Sequence, residues 1–248
     1  MNVLFVAWQD PETRRWWPVG RLSREDGDYH FVYTRGAEAA ERFVPFGRMT
    51  NLHDVYVAKE LFPLFANRLL PKSRPEYRDF LCWLGLEGSD DALDQLARSG
   101  GIRATDSLQI FPSPEPTPDN HYAVEYFSHG IRYMPPTSRE RIETLDPGEW
   151  LYLMRDIQNP FDDDAMLMRT GDPILGVGYC PRFYSADFTK LLDLIGKDQV
   201  QVTIVAVNPD APLQFRLRCR LTAPWPAGFG ACRQETFEPL AAETSGSI

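Results

Sequence analysis

Cysteine is scarce in this chain of 248 residues: four thiols, Cys82, Cys180, Cys219 and Cys232, lie far apart with no Cys-x-x-Cys pair. That spacing excludes a disulfide framework or a zinc site built on paired cysteines, and it predicts reduced, mostly buried thiols. Long apolar runs are missing as well, and none approaches the roughly 20 residues needed to span a bilayer. Residues 1–8 carry no basic stretch ahead of their short apolar run, so no secretory leader is expected and the cytoplasm is the expected compartment. Positive charge is in deficit, with 26 Lys and Arg against 35 Asp and Glu and a net charge of −9. Lysine accounts for only 4 of those cations. A chain so acidic is not one that coats nucleic acid non-specifically, because that mode draws on clustered cations that displace counterions. A small basic pocket remains open to it.

Chemistry-bearing motifs are few. The glycine-rich stretch Gly171-Asp172-Pro173-Ile174-Leu175-Gly176-Val177-Gly178 lacks the Gly-Lys-Ser/Thr ending that holds phosphates, so it reads as a hairpin turn and strand bulge, with no ATP site or other cofactor expected. His30, His53, His121 and His129 are scattered, and no Gly-x-Ser-x-Gly nucleophile accompanies them. Asp162-Asp163-Asp164 offers the hard oxygens that Mg²⁺ prefers, but successive strand residues point to opposite faces, which favours a solvated turn over a metal site. Arg14-Arg15-Trp16-Trp17 is a basic and aromatic cluster, and core or cross-strand packing is its first reading, partner binding its second.

What is abundant points to folded modules: 43% hydrophobic and 12% aromatic residues are enough to build cores. The clearest break is Ser113-Pro114-Glu115-Pro116-Thr117-Pro118-Asp119-Asn120, whose alternate prolines forbid helix and favour an extended linker over 113–120. Neither half beside it is basic, with 14 cations against 18 carboxylates in 1–120 and 12 against 17 in 121–248. The first half, 1–112, reads as a small α+β module. Strand-like runs at 3–7, 18–22 and 29–33 precede helical periodicity over 55–69, further helices near 75–84 and 90–99, and a closing strand at 107–111. The second half, 121–240, is mostly strand, with segments at 122–127, 149–155, 165–169, 174–179, 200–207 and 214–221 and one helix after Pro181. That pattern predicts a small barrel or rolled sheet. Residues 241–248 are small and polar and are expected to fray.

Three blocks of the second half fall in a specific order: Gly130-Ile131-Arg132-Tyr133, then Arg155-Asp156-Ile157-Gln158-Asn159-Pro160-Phe161-Asp162-Asp163-Asp164-Ala165, then Gly176-Val177-Gly178-Tyr179-Cys180-Pro181-Arg182. Together they resemble the HIRAN domain. The resemblance implies an OB-like barrel with one helix and a role in gripping the free 3′ end of single-stranded DNA. The residues suit that chemistry, which needs aromatic faces for a terminal base, cations for the last phosphate and an acceptor for a free hydroxyl. Tyr133 and Phe161 supply faces, Arg132 and Arg182 cations, and Asp162 with Gln158 and Asn159 the hydroxyl and base-edge contacts. A carboxylate selects for an end, since an internal phosphodiester would bring negative charge against it. Met134 stands where other members carry a second aromatic, and Phe161 replaces a Tyr.

The first half carries Val19-Gly20-Arg21-Leu22, Phe31-Val32-Tyr33, Leu61-Phe62-Pro63-Leu64-Phe65-Ala66-Asn67-Arg68-Leu69-Leu70-Pro71 and Gly100-Gly101 before Leu108-Gln109-Ile110. These resemble the N-terminal subdomain of HipA-type toxin kinases, which implies a non-catalytic docking module, and no kinase catalytic loop follows it in this sequence. The expectation is a non-enzymatic protein that binds single-stranded DNA ends and docks a protein partner. An antitoxin-like regulator of a kinase or helicase is the alternative, and a metal-dependent hydrolase on the Asp cluster a remote one.

Overall fold

The structure, a computed structural model, describes residues 3–241. Of the tail expected to fray, 242–248 lie outside the described residues, and Ala241 is buried. Two compact units share the chain. One takes the residues up to Arg78, Leu86–Ser113 and everything described from Cys232 onward, and the other takes Asp79–Gly85 and Pro114–Ala231.

The first unit is built on a five-stranded antiparallel sheet of β1 (Leu4–Gln9), β2 (Trp16–Glu25), β3 (Asp28–Tyr33), β4 (Tyr56–Ala58) and β5 (Leu108–Pro112), in the order β4-β3-β2-β1-β5. The β2–β3 hairpin turns on Asp26 and Gly27, both at positive φ (51° and 89°), the conformation that a two-residue turn matching the twist of its strands requires. Short helices α1 (Arg35–Ala39), α2 (Pro63–Ala66) and α4 (Ala92–Ser99) accompany the sheet, and Phe65, Leu93 and Leu96 join Leu4, Val6, Val19, Leu22, Phe31 and Ile110 in its core. Helix α4 is well bounded by its sequence: the Asp91 carboxylate accepts from the amides of Leu93 and Asp94, worth about 1 kcal/mol, and Gly100 ends the helix in the left-handed region.

The helix expected over 55–69 is not formed. Tyr56, Val57 and Ala58 pair with Phe31, His30 and Tyr29 as the edge strand β4, and Pro63, which has no amide hydrogen to continue a helix, instead starts the four-residue α2. Trp17 pairs with Trp8 across β1 and β2 and packs against the core, with the Arg15 guanidinium 4.1 Å from its ring centroid, so this part of the basic and aromatic cluster is packing. From Cys232 onward the chain returns to the same unit: Pro239 bridges Thr34, the Leu240 amide donates to the Tyr33 carbonyl at 2.9 Å, and the Phe237 ring meets Phe5 edge-on at 4.8 Å.

In the second unit six antiparallel strands run in the order β6-β11-β10-β7-β8-β9. They are β6 (His121–Phe127), β7 (Trp150–Arg155), β8 (Met166–Arg169), β9 (Gly176–Tyr179), β10 (Gln201–Val207) and β11 (Leu217–Pro224). The sheet curls until its two edges meet. His129, just past β6, and Tyr179 on β9 exchange both backbone hydrogen bonds at 2.9 and 2.8 Å, and the Ser128 hydroxyl donates to the Val177 carbonyl at 2.9 Å. Gly178 makes that closure feasible. Its φ is +116°, and a Cβ there would stand 2.0 Å from the Ser128 hydroxyl oxygen and 2.7 Å from the His129 carbonyl oxygen. The glycine-rich stretch is thus a turn and a bulge, with the β8–β9 register slipping at Met168/Arg169. Helix α6 (Arg182–Ile195) packs Phe188 against Tyr122 and Tyr126 at centroid distances of 6.1 and 5.9 Å.

The unit differs from expectation in three places. It carries a second helix, α5 (Pro136–Glu143), where a single helix, after Pro181, was expected. Pro136 occupies the first turn, where its missing amide costs nothing, and Ser138 and Ile142 alone are buried, so no apolar periodicity announced the helix. The strand expected at 214–221 begins later, after a 3₁₀ turn at Leu213–Phe215. Helix α3 (Tyr77–Leu84) ends in a segment, Asp79–Gly85, that belongs to this unit. Phe80 meets Phe215 edge-on at 5.7 Å, Asn208 Nδ2 donates to the Trp83 carbonyl at 3.2 Å and the Arg218 guanidinium donates to the Leu84 carbonyl. Cys180, Cys219 and Cys232 are buried, Cys82 is exposed, and none forms a disulfide.

Candidate nucleic-acid interface

The three sequence blocks occupy three segments of the barrel unit. The first forms a 3₁₀ turn at Ile131–Tyr133, directly after the residue that closes the barrel. Ile131 is buried and anchors the turn, which sends Arg132 and Tyr133 outward. Tyr133 is 72% exposed, its hydroxyl accepts from the Arg132 guanidinium, and that guanidinium stands 4.5 Å from its ring centroid. The two side chains are one stacked cation and ring facing solvent.

The second block is the β7–β8 connection. Its ends are tied by Asp156 N to Ala165 O at 2.8 Å, and Ala165 N donates to Asp162 O at 3.1 Å. Inside it Asn159 does the work of a turn former. Its Oδ1 accepts from the Phe161 amide at 3.1 Å and its Nδ2 donates to Asp156 at 3.2 Å. Gln158 is exposed, and Phe161 at the outer bend is 60% exposed, a large apolar ring held in water by a fixed turn.

Asp162, one residue on, is partly buried. Its Oδ1 accepts from the Asp164 amide at 3.1 Å, while its Oδ2 accepts from the Ser185 hydroxyl at 3.4 Å and lies 3.5 Å from Arg182 Nε. Arg182 and Ser185 belong to the first turn of α6, which follows the third block, so this turn and the β7–β8 connection bring Arg182 beside Asp162. Burial pushes the Asp162 carboxyl above its ordinary value, against the opposing pull of the Asp164 amide and Arg182.

Tyr179, not singled out as a site residue in the sequence, links the segments. Its hydroxyl donates to Asp156 Oδ2 at 2.9 Å, its backbone pairs with His129, and its ring lies where a Cβ on Gly130 would be 3.4 Å from it and 4.0 Å from the Tyr133 ring. The signal was present in the third block, but an i to i−23 hydrogen bond cannot be read from spacing. His129, one of four scattered histidines in the sequence, is part of the closure, partly buried, with its ring 6.3 Å from that of Phe183. Desolvation lowers its imidazole to about 4.

Asp163 is exposed, and among the described residues no group of three or more His, Cys, Asp or Glu is arranged to hold a metal ion. None of the described helices is long and apolar enough to cross a membrane. No curated protein matches the chain.

Among solved structures, a crystal structure of a protein from Lactobacillus plantarum is similar at 20% identity with a TM-score of 0.32, over 42% of this chain and 96% of that one. The crystal structure of the HIRAN domain of human HLTF is similar at 16% identity with a TM-score of 0.31, over 41% of this chain and 74% of that one. Residues 121–224, which run from the first strand of the barrel to the last and contain Tyr133, Phe161, Asp162, Tyr179 and Arg182, match the family model of the HIRAN domain.

Proposed function

We propose that this is a non-enzymatic, cytoplasmic protein whose HIRAN unit binds nucleic acid and takes the free 3′ end of single-stranded DNA. The observation that carries the reading is a pair of solvent-facing rings, Tyr133 and Phe161, on two segments that Tyr179 knits together, with a desolvated carboxylate next to one of them. Rings so placed stack on bases of any sequence. Arg132 meets a phosphate, Arg182 holds Asp162 in place, and Asp162 accepts the terminal hydroxyl. A phosphate at that position would meet a carboxylate instead of a donor. Asn159 contributes by shaping the turn under Phe161, and Gln158 stands beside it for a base edge.

Fluorescence anisotropy with oligonucleotides ending in a 3′ hydroxyl or a 3′ phosphate tests this. The free end is expected to bind more tightly, Phe161→Ala to weaken it about ten-fold through lost stacking, and Asp162→Asn to narrow the difference between the two ends. Equal binding of both ends, or none, overturns it.

The first unit is the partner-docking side of the same reading, supported by the resemblance of residues 61–71 to the HipA-type subdomain. A kinase or helicase among the proteins that co-purify from native lysate is the expected result, and its absence counts against docking.

A further inference from the structure

The outer face of β7 presents Trp150, Tyr152 and Met154, three alternate residues 57, 47 and 46% exposed, while Leu151 between them is buried. Large side chains in water on consecutive outward positions of a barrel strand call for an occupant.

The register places them in rows. Met154 lies opposite Leu167 and Leu167 opposite Tyr179, so the last residue of the stripe shares a face with the tyrosine that holds Asp156. Tyr152 lies opposite Arg169, whose guanidinium stands 4.8 Å from the Tyr152 ring centroid, and Trp150 lies opposite Thr203. No carboxylate occurs among these direct cross-strand partners, although the chain as a whole carries −9. The stripe ends where the β7–β8 connection begins, and that connection carries Phe161. Alternate strand residues are about 6.6 Å apart. That is close to twice the roughly 3.4 Å stacking distance, so a base fits between successive outward rings.

We infer that the outer face of β7 is a stacking track for the nucleotides immediately 5′ of the bound end, with Trp150 and Tyr152 as its platforms and Arg169 as both the cap on Tyr152 and the nearest phosphate partner. The inference rests on the end-binding reading and extends it from a pocket for the terminus to a groove for several bases. Continuity of the face with Tyr179, and the Arg169 cation with no carboxylate among the direct cross-strand partners of the stripe, favour a polyanionic strand over an apolar protein surface.

The test is a length series with the full chain. Oligonucleotides of about three and about ten nucleotides, each with a free and a phosphorylated 3′ end, are titrated against the unaltered protein and against the double variant Trp150→Ala, Tyr152→Ala. The longer free-ended strand is expected to bind about ten-fold or more tightly than the shorter one, and the variant to lose that gain while keeping its affinity for the short strand. Because both side chains are exposed, the variant's thermal midpoint should match the parent's, and the length series on the parent alone stands if it does not.

A free-end preference with no gain from length, or a gain the folded variant retains, overturns the track and leaves the end pocket standing. A gain from length with no preference between ends overturns end binding, and with it the track as stated. Absence of binding at both lengths removes both. A change in oligomeric state in the variant, with DNA binding unchanged, assigns the face to a second copy of the chain and also overturns the inference.

Discussion

One carbon atom at Gly178 is enough to open the barrel. A methyl group there would overlap the Ser128 hydroxyl and crowd the His129 carbonyl, in a backbone conformation that L-residues rarely adopt. Gly178→Ala is therefore expected to cost on the order of 3 kcal/mol in chemical denaturation and to abolish oligonucleotide binding, because the bridge that positions residues 130–133 is lost. Gly228→Ala, also at positive φ (77°) but with nothing within 4 Å of the added carbon, should cost about 1 kcal/mol and leave binding intact. Single residues also mark how far the sequence could be read. Phe161 and Arg132 keep the exposure their assigned roles need, since turn chemistry is local. Asn159 has a second task that its assigned base contact did not announce, since its amide oxygen accepts from Phe161 and its nitrogen donates to Asp156 in the turn it builds.

Elements behaved according to how local their determinants are. The β2–β3 hairpin and α4 follow from Asp26-Gly27, Asp91 and Gly100, each acting within a few residues. The segment 55–69 shows helical spacing yet gives an edge strand, because pairing with β3 and the prolyl ring at Pro63 outweigh a short periodic pattern. The closure of β9 on the end of β6 adds a pH dependence that no strand shows by itself. Desolvation holds the folded His129 imidazole at about 4, below its ordinary 6.5, so the unfolded chain takes up the proton first. The stability tied to the neutral ring is present above about 6.5 and is lost as pH falls toward 4, up to about 2 kcal/mol between pH 7 and pH 5. Thermal midpoints at those two pH values should record the fall, and His129→Phe should remove that part of it. An unchanged pH dependence in the variant would place the titration elsewhere.

At the scale of the whole molecule the net charge of −9 limits how the proposed site would engage a strand. The proposed site offers Arg132, Arg182 and the Arg169 of β8, so binding there would neutralise few phosphates. Plots of log affinity against log salt for single strands should therefore have a slope of about −2, set by two or three contacts, and a slope of −5 or steeper would mean that another surface binds. The deficit of cations, the strand-rich second half, the turn chemistry around residues 158–164 and the three blocks that mark the HIRAN region were all decided by sequence, since composition and short-range stereochemistry act along the chain. Tertiary structure alone decided that Tyr179 reaches back to Asp156, that His129 closes the barrel, that Asp79–Gly85 and the segment after Cys232 change units, and that Trp150 and Tyr152 lie on the strand face that leads through Met154 and Leu167 to Tyr179. These depend on register and on contacts between residues far apart in the chain, and a one-residue shift in register would send every ring of β7 to the other face.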